Sequence, residues 1–265
     1  MARAKKDLPV KGQTDNLPVE MDMEGDSAKH RQTFGQDMLI TPRIKILQDL
    51  SPEVKARNAA YIEGAEPGLI LNEVLGKMST SILFAPAKFM VRYIAWQPRV
   101  NGGGLVDPNL TEADMDKFEQ VGIGSWTGMM ETGRERKPTL VEIAETPEWV
   151  GIASGFDTVD GAEWGPTPVA ISFPSTKVKA ARKINTTINL TERPRSDGGV
   201  YTPAAFFHLF ELSTGLESAG DDEWYGWVVA HKGVGTDANM AGRAKALKEA
   251  FDEGTAAVDD QNIER

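Results

Sequence analysis

A mainly β fold carrying a few helices (α+β) is what this sequence predicts, on three observations. From Gly122 to Gly165 the chain is a series of short strand-like pieces, SWTGMMETG, PTLVEIAET and PEWVGIASGF, separated by glycine and proline. Residues 87–97, AKFMVRYIAWQ, alternate like a half-buried strand. Helical periodicity marks two later stretches, near 176–188 and 239–251. Short strands with frequent turns suit a barrel or a sandwich.

Residues 1–37 are polar, mixed in charge and poor in large apolar side chains, so they are expected to form a disordered arm. Order is expected from Met38. Ile44 and Ile46 alternate with Arg43 and Lys45 as in a short strand, and Ser51-Pro52 closes it as a turn or helix start. Gly64–Gly68 is a turn before a second strand, LILNEVLG. In the 87–97 strand, Phe89, Val91, Tyr93 and Ala95 share one face, and Lys88, Met90, Arg92, Ile94 and Trp96 the other. Asn101 and Gly102–Gly104 break it. LTEADMDKFEQ reads as a short acidic helix capped by Thr111. Pro168–Pro174 is a strand stopped by its proline. Ser175 is expected to cap a helix to Ile188, with Val178, Ala181, Ile184 and Ile188 inward and Lys179, Arg182, Lys183 and Thr186 outward. Residues 201–212 and 223–231 form a hairpin pair across an acidic loop. A last helix, Asn239–Phe251, is capped by Asp237, turns Met240, Ala244, Leu247 and Phe251 inward, and ends at Gly254. The organisation expected is an arm (1–37), one domain (38–251) and a flexible acidic tail (252–265).

Composition removes several function classes. The 265 residues contain no cysteine, which excludes disulfides, zinc fingers, iron–sulfur clusters and thiol nucleophiles. Three histidines, His30, His208 and His231, are too few for a histidine-rich metal centre. No apolar run reaches the eighteen or so residues of a membrane span, and the charged MARAKKDLPVKGQ start is not that of a secretory signal. A soluble protein of a reducing compartment is expected. Walker and G-x-S-x-G signatures are missing. Gly233–Asp237 is explained as a loop ending in a helix cap, Asp114/Asp116 and Asp221–Glu223 as solvated charge, and His208 as a packed strand residue. The expectation is therefore a protein without catalysis, cofactor or metal.

Charge is unevenly spread. The net of −10 divides into −1 over residues 1–37, +3 over 38–99, −9 over 100–169, +3 over 170–212 and −6 over 213–265. A local cationic groove on an otherwise acidic protein fits this pattern. A site that grips single-stranded nucleic acid needs cations spaced for phosphates and aromatic faces for bases. Lys88, Arg92 and Arg99, with Lys177, Lys179, Arg182 and Lys183, are the candidate phosphate ligands. Tyr93 or Trp96 is the candidate stacking ring, with Trp96 favoured because it shares a face with two cations. The competing reading is that these aromatics fill a core and the basic side chains lie around it.

Several segments, taken in order, resemble single-stranded DNA-binding proteins of tailed bacteriophages. They are Thr41–Val54 (TPRIKILQDLSPEV), Tyr61–Gly68, Tyr93–Arg99 with Gly102–Gly104, Ser175–Asn185, Phe206–Phe210 and Trp224–Trp227. The resemblance implies an OB-like β-barrel elaborated with loops and helices, acting on single-stranded DNA in phage replication and recombination within the host cytoplasm. It also implies an acidic tail that recruits replication or recombination proteins, although this chain ends Ile263-Glu264-Arg265 without a terminal aromatic. The rival from a different class is an acidic phage structural or assembly protein whose basic helix docks on a protein partner.

Overall fold

The alternating and apolar runs fold into thirteen strands in the computed structural model, which describes residues 41–132, 137–156 and 165–258; the expected arm at 1–37 lies outside these. The first strands are β1 (Arg43–Ile46), β2 (Ile70–Asn72), β3 (Lys77–Ser79), β4 (Ser81–Trp96) and β5 (Leu105–Leu110). Next come β6 (Glu119–Gly122), β7 (Ser125–Thr132), β8 (Lys137–Ser154) and β9 (Thr167–Ser172). Helix α1 (Val178–Leu190) leads to β10 (Arg193–Pro194) and β11 (Val200–Tyr201). The long hairpin β12 (His208–Ala219) and β13 (Asp222–Val234) precedes α2 (Ala238–Asp252). No helix among the described residues is long and apolar enough to cross a membrane.

The mainly β class is the one the sequence predicts. One sheet runs in the order β13-β12-β4-β8-β9-β1-β2-β3, with β5 on β4 and β6–β7 on β8; β10 and β11 form a separate ribbon. Among the described strands only β1 and β9 pair in parallel. Both ends of this sheet feed one core: Ile44, Ile46 and Ile70 from β1 and β2 pack with Phe210, Leu212, Trp227 and Val229 from β12 and β13, beneath Ile184 of α1. The sheet must therefore curl. Its backbone pairing, however, does not close into the barrel the resemblance implies, since β13 and β3 remain the ends of the order. A side chain bridges the gap instead. Gln48 donates through Nε2 to the Tyr225 carbonyl (2.9 Å) and accepts at Oε1 from the Tyr225 amide (2.8 Å), the bond pair a neighbouring strand would supply.

Two strands run longer than expected. Pro147 falls inside β8 without ending it. Its carbonyl accepts from Phe173 N just past the end of β9, so the missing N–H faces that side and the ladder to β4 continues. Gly151 lets β8 pass close to β4, because a Cβ there would lie 2.4 Å from the Ala85 carbonyl. On β4, Ala87 is bulged out of the pairing between Pro86 and Lys88. The bulge keeps Ala85 and Ala87 against Met240 and Ala244 of α2, and turns Lys88 and Met90 toward the same helix.

Helix ends follow local chemistry. Asp237 accepts from Met240 N (2.9 Å), the cap expected for α2. In the 3-10 turn Glu112–Lys117, Thr111 donates from both N and Oγ1 to Asp114, which also pairs with Lys117. Those bonds, that from Lys117 first, hold the Asp114 carboxyl well below the usual carboxylate range. Ser175 departs from expectation. It takes a positive φ of 50° and opens a 3-10 turn through Lys177 rather than capping α1.

The acidic tail starts later than expected. Asp252 belongs to α2, and Val258 is buried against Val150 and Ala170 while bridging to Thr41. Residues 252–258 are therefore part of the fold, and 259–265 lie outside the described residues. Ending the chain at Gly254 should cost about 1.5–3 kcal/mol for the lost burial of Val258, read as a lower urea midpoint. An unchanged midpoint would mean the bridge contributes nothing.

Candidate nucleic-acid interface

The β4 face bearing Lys88, Arg92 and Trp96 is assembled as alternation requires, but it is covered. Lys88 pairs with Asp252 of α2 (2.9 Å). Arg92 donates through Nε to Glu148 (3.2 Å) and through Nη1 to Asn109 (3.5 Å). Trp96 is 7% exposed and packs with Ile94 and Leu105. These three residues do not form the open cationic and stacking face expected of them. Carboxylates and an apolar neighbour across β5 occupy the space a base or phosphate would need. Asp252 is correspondingly held below its ordinary pKa by its bonds to Lys248 and then Lys88.

On this same face lies a charged centre spanning four adjacent strands. Glu148 on β8 is fully buried and accepts from Arg43 Nη1 on β1, Ser172 Oγ on β9 (2.8 Å) and Arg92 Nε on β4. Arg43 Nη1 also reaches Ser172 Oγ (2.7 Å). A buried carboxylate between two guanidiniums with hydrogen bonds at both oxygens is a charge-compensated structural centre.

On the opposite face, Tyr93 meets Trp126 edge-on (5.5 Å) and packs near Met115, Val141 and Ile143. Burial, then the Glu112 and Glu145 carboxylates, raises its pKa. The β4 aromatic with the most open ring is Phe89, 37% exposed, tilted on Trp149, whose indole donates to Asn185 of α1 (2.8 Å). Its openness is not visible in the sequence, where the cations of β4 mark the other face. Arg99 is exposed where β4 runs into Gly102–Gly104, all at positive φ.

Helix α1 matches expectation more closely. Ala180, Ala181 and Ile184 are buried, so 3.6-residue periodicity turns Lys179, Arg182 and Lys183 outward. Lys179 is 81% exposed and lies 4.0 Å from Glu217. Arg182 and Lys183 are exposed and have no ion pair among the described residues. Together with Thr186, Thr187, Leu190 and Thr191 these cations line an open surface depression. Lys177 sits half-buried in the turn before the helix. Beyond the helix, β10 adds the exposed Arg193, with Arg195 just past it, and β11 places Tyr201 directly opposite Arg193. Tyr201 was hidden in the sequence because it reads as the start of the next long strand. The buried Pro203 and the 3-10 turn Ala205–Phe207 separate the two.

A protein-family model described as Pam3 phage gp34-like protein matches residues 10–257, nearly the whole chain. The chain belongs to this gp34-like family. It is thus a bacteriophage protein, as the resemblance implied at that coarser level. No curated protein and no solved structure matches it.

In this gp34-like protein His208 is the packed residue expected, buried on β12 with Nδ1 3.2 Å from His231 Nε2. Burial first, and then the His231 charge, lower its pKa; a backbone bond at Pro203 opposes them, and the Arg193 charge adds a smaller lowering. The fold therefore favours neutral His208. That contribution is complete above the unfolded value of 6.5 and is lost as pH falls below it towards the folded pKa. Unfolding midpoints in urea should fall between pH 7.5 and 5.5, and His208→Gln should reduce the fall. An equal fall in the variant would assign the effect to other groups.

Proposed function

We propose that this phage protein binds single-stranded DNA without catalysing a reaction on it, coating strands during phage replication and recombination. The observation that carries the reading is the exposed cation strip of α1, Lys179, Arg182 and Lys183, extended by Arg193 and Arg195 on a protein of net charge −10. An acidic protein that concentrates exposed cations on one helix face has a local field suited to a polyanion. The phosphate ligands are accordingly placed on α1 and beyond it rather than on β4.

With three to five phosphates neutralised, log affinity should fall with log salt at a slope of about −2 to −3.5, at roughly 0.7 per phosphate. Anisotropy of a labelled oligo-dT, titrated at several salt concentrations, measures this. Reversing the α1 cations (Lys179→Glu with Arg182→Glu and Lys183→Glu) should weaken binding and flatten the slope by about 2. A variant with the wild-type slope would remove α1 from the interface. Absence of binding to any oligonucleotide would favour the assembly-protein reading, in which the same helix docks on an acidic protein surface.

A further inference from the structure

We propose that the β10–β11 ribbon is a base-stacking arm, on which Tyr201 stacks against an unpaired nucleobase while Arg193 and Arg195 hold the flanking phosphates. This rests on the single-strand reading above and adds to it a second, chemically distinct contact.

The ribbon has no other evident reason for its composition. It stands apart from the main sheet and consists of two residue pairs, Arg193 with Tyr201 and Pro194 with Val200. Every residue from Glu192 to Thr202 is exposed, so the ribbon contributes no side chain to a core. Two-stranded ribbons of this kind are marginal in water. This one is drawn tight by Gly198 and Gly199 at φ 87° and 82°, with Arg195 N donating to the Gly199 carbonyl (3.0 Å). Residues paired across antiparallel strands share a face, so Arg193 and Tyr201 lie side by side, and Arg195, opposite Gly199, follows on that face. A tyrosine ring 44% exposed on the strand face it shares with two arginines, of which Arg195 also donates Nε to the Val200 carbonyl (3.3 Å), presents a flat apolar surface beside charge-assisted donors, which matches a base with its phosphates.

Two further observations favour a nucleobase as occupant. The ribbon follows α1 after two residues, so its arginines continue the cation strip. Glu192 and Asp197 offset the two arginines, leaving the arm without net charge. Its own carboxylates thus offset part of what the arginines gain from phosphates, and the share supplied by the ring should be sensitive to whether bases are present.

That sensitivity supplies the test. Anisotropy titrations compare a labelled oligo-dT of about 12 nucleotides, within the usual range for one site, with an abasic oligomer of the same length and charge. Wild-type protein should bind oligo-dT on the order of tenfold to a hundredfold more tightly. Tyr201→Ala should abolish that preference while leaving abasic affinity and the thermal midpoint unchanged, and Tyr201→Phe should retain it. Equal wild-type affinity for both oligomers overturns the stacking arm but leaves phosphate binding by α1 standing. A preference that survives in Tyr201→Ala, or equal losses on both oligomers, also overturns it. Failure of wild-type protein to bind either oligomer overturns the single-strand reading itself, and this inference with it.

Discussion

Glu148→Ala is expected to destabilise the protein by about 3–5 kcal/mol, the range for removing one partner of a buried ion cluster. The carboxylate has no exposure of its own and accepts from two arginines and a serine drawn from three other strands. Removing it leaves the buried Arg43 guanidinium beside the partly buried Arg92, two like charges with their shared counter-charge gone. Glu148→Gln keeps an acceptor of the same shape and should cost less. The double replacement Arg43→Met with Glu148→Leu should recover much of the loss, because charge and counter-charge leave together. Urea unfolding followed by circular dichroism checks all three. A loss below about 1 kcal/mol for Glu148→Ala would show that water reaches the cluster and solvates the arginines.

Why this centre was invisible in the sequence explains most of what could not be read there. Lys88 and Arg92 read as available cations because their carboxylate partners lie 164 and 56 residues away along the chain. Alternation placed Lys88, Arg92 and Trp96 on one face correctly, yet it cannot say which face another element will cover. Helix α1 was legible on both counts. A run of Ala180, Ala181 and Ile184 at helical spacing identifies the buried side, and the cations opposite are outward by geometry alone. The Asp237 and Thr111 caps were legible for the same reason, being contacts within four residues. Curling of the sheet was not, since it depends on Gln48 meeting Tyr225 across the length of the domain. Nor was the length of β8, because Pro147 loses only a donor on its β9 side while the ladder to β4 carries the strand on.

Trp96→Ala should cost about 3–5 kcal/mol of stability, the range for truncating a large buried aromatic, and should leave affinity for single strands unchanged per folded molecule. Trp96 ends β4 between two neighbours in register, Glu142 on β8 and Leu105 on β5, and its ring packs against Ile94 and Leu105. Truncation opens a cavity where β5 packs on the end of β4. The proposed interface on α1 and the β10–β11 ribbon includes no residue of this cluster, so its cations and Tyr201 should keep their geometry. Denaturant unfolding and an oligo-dT titration on the same preparation separate the two roles. The opposite pair of results, a stable variant with binding weakened by about 1–3 kcal/mol, would mean that β5 lifts away from β4 when DNA binds. The interface would then have to be redrawn around the strand face on which Trp96, Arg92 and Lys88 converge.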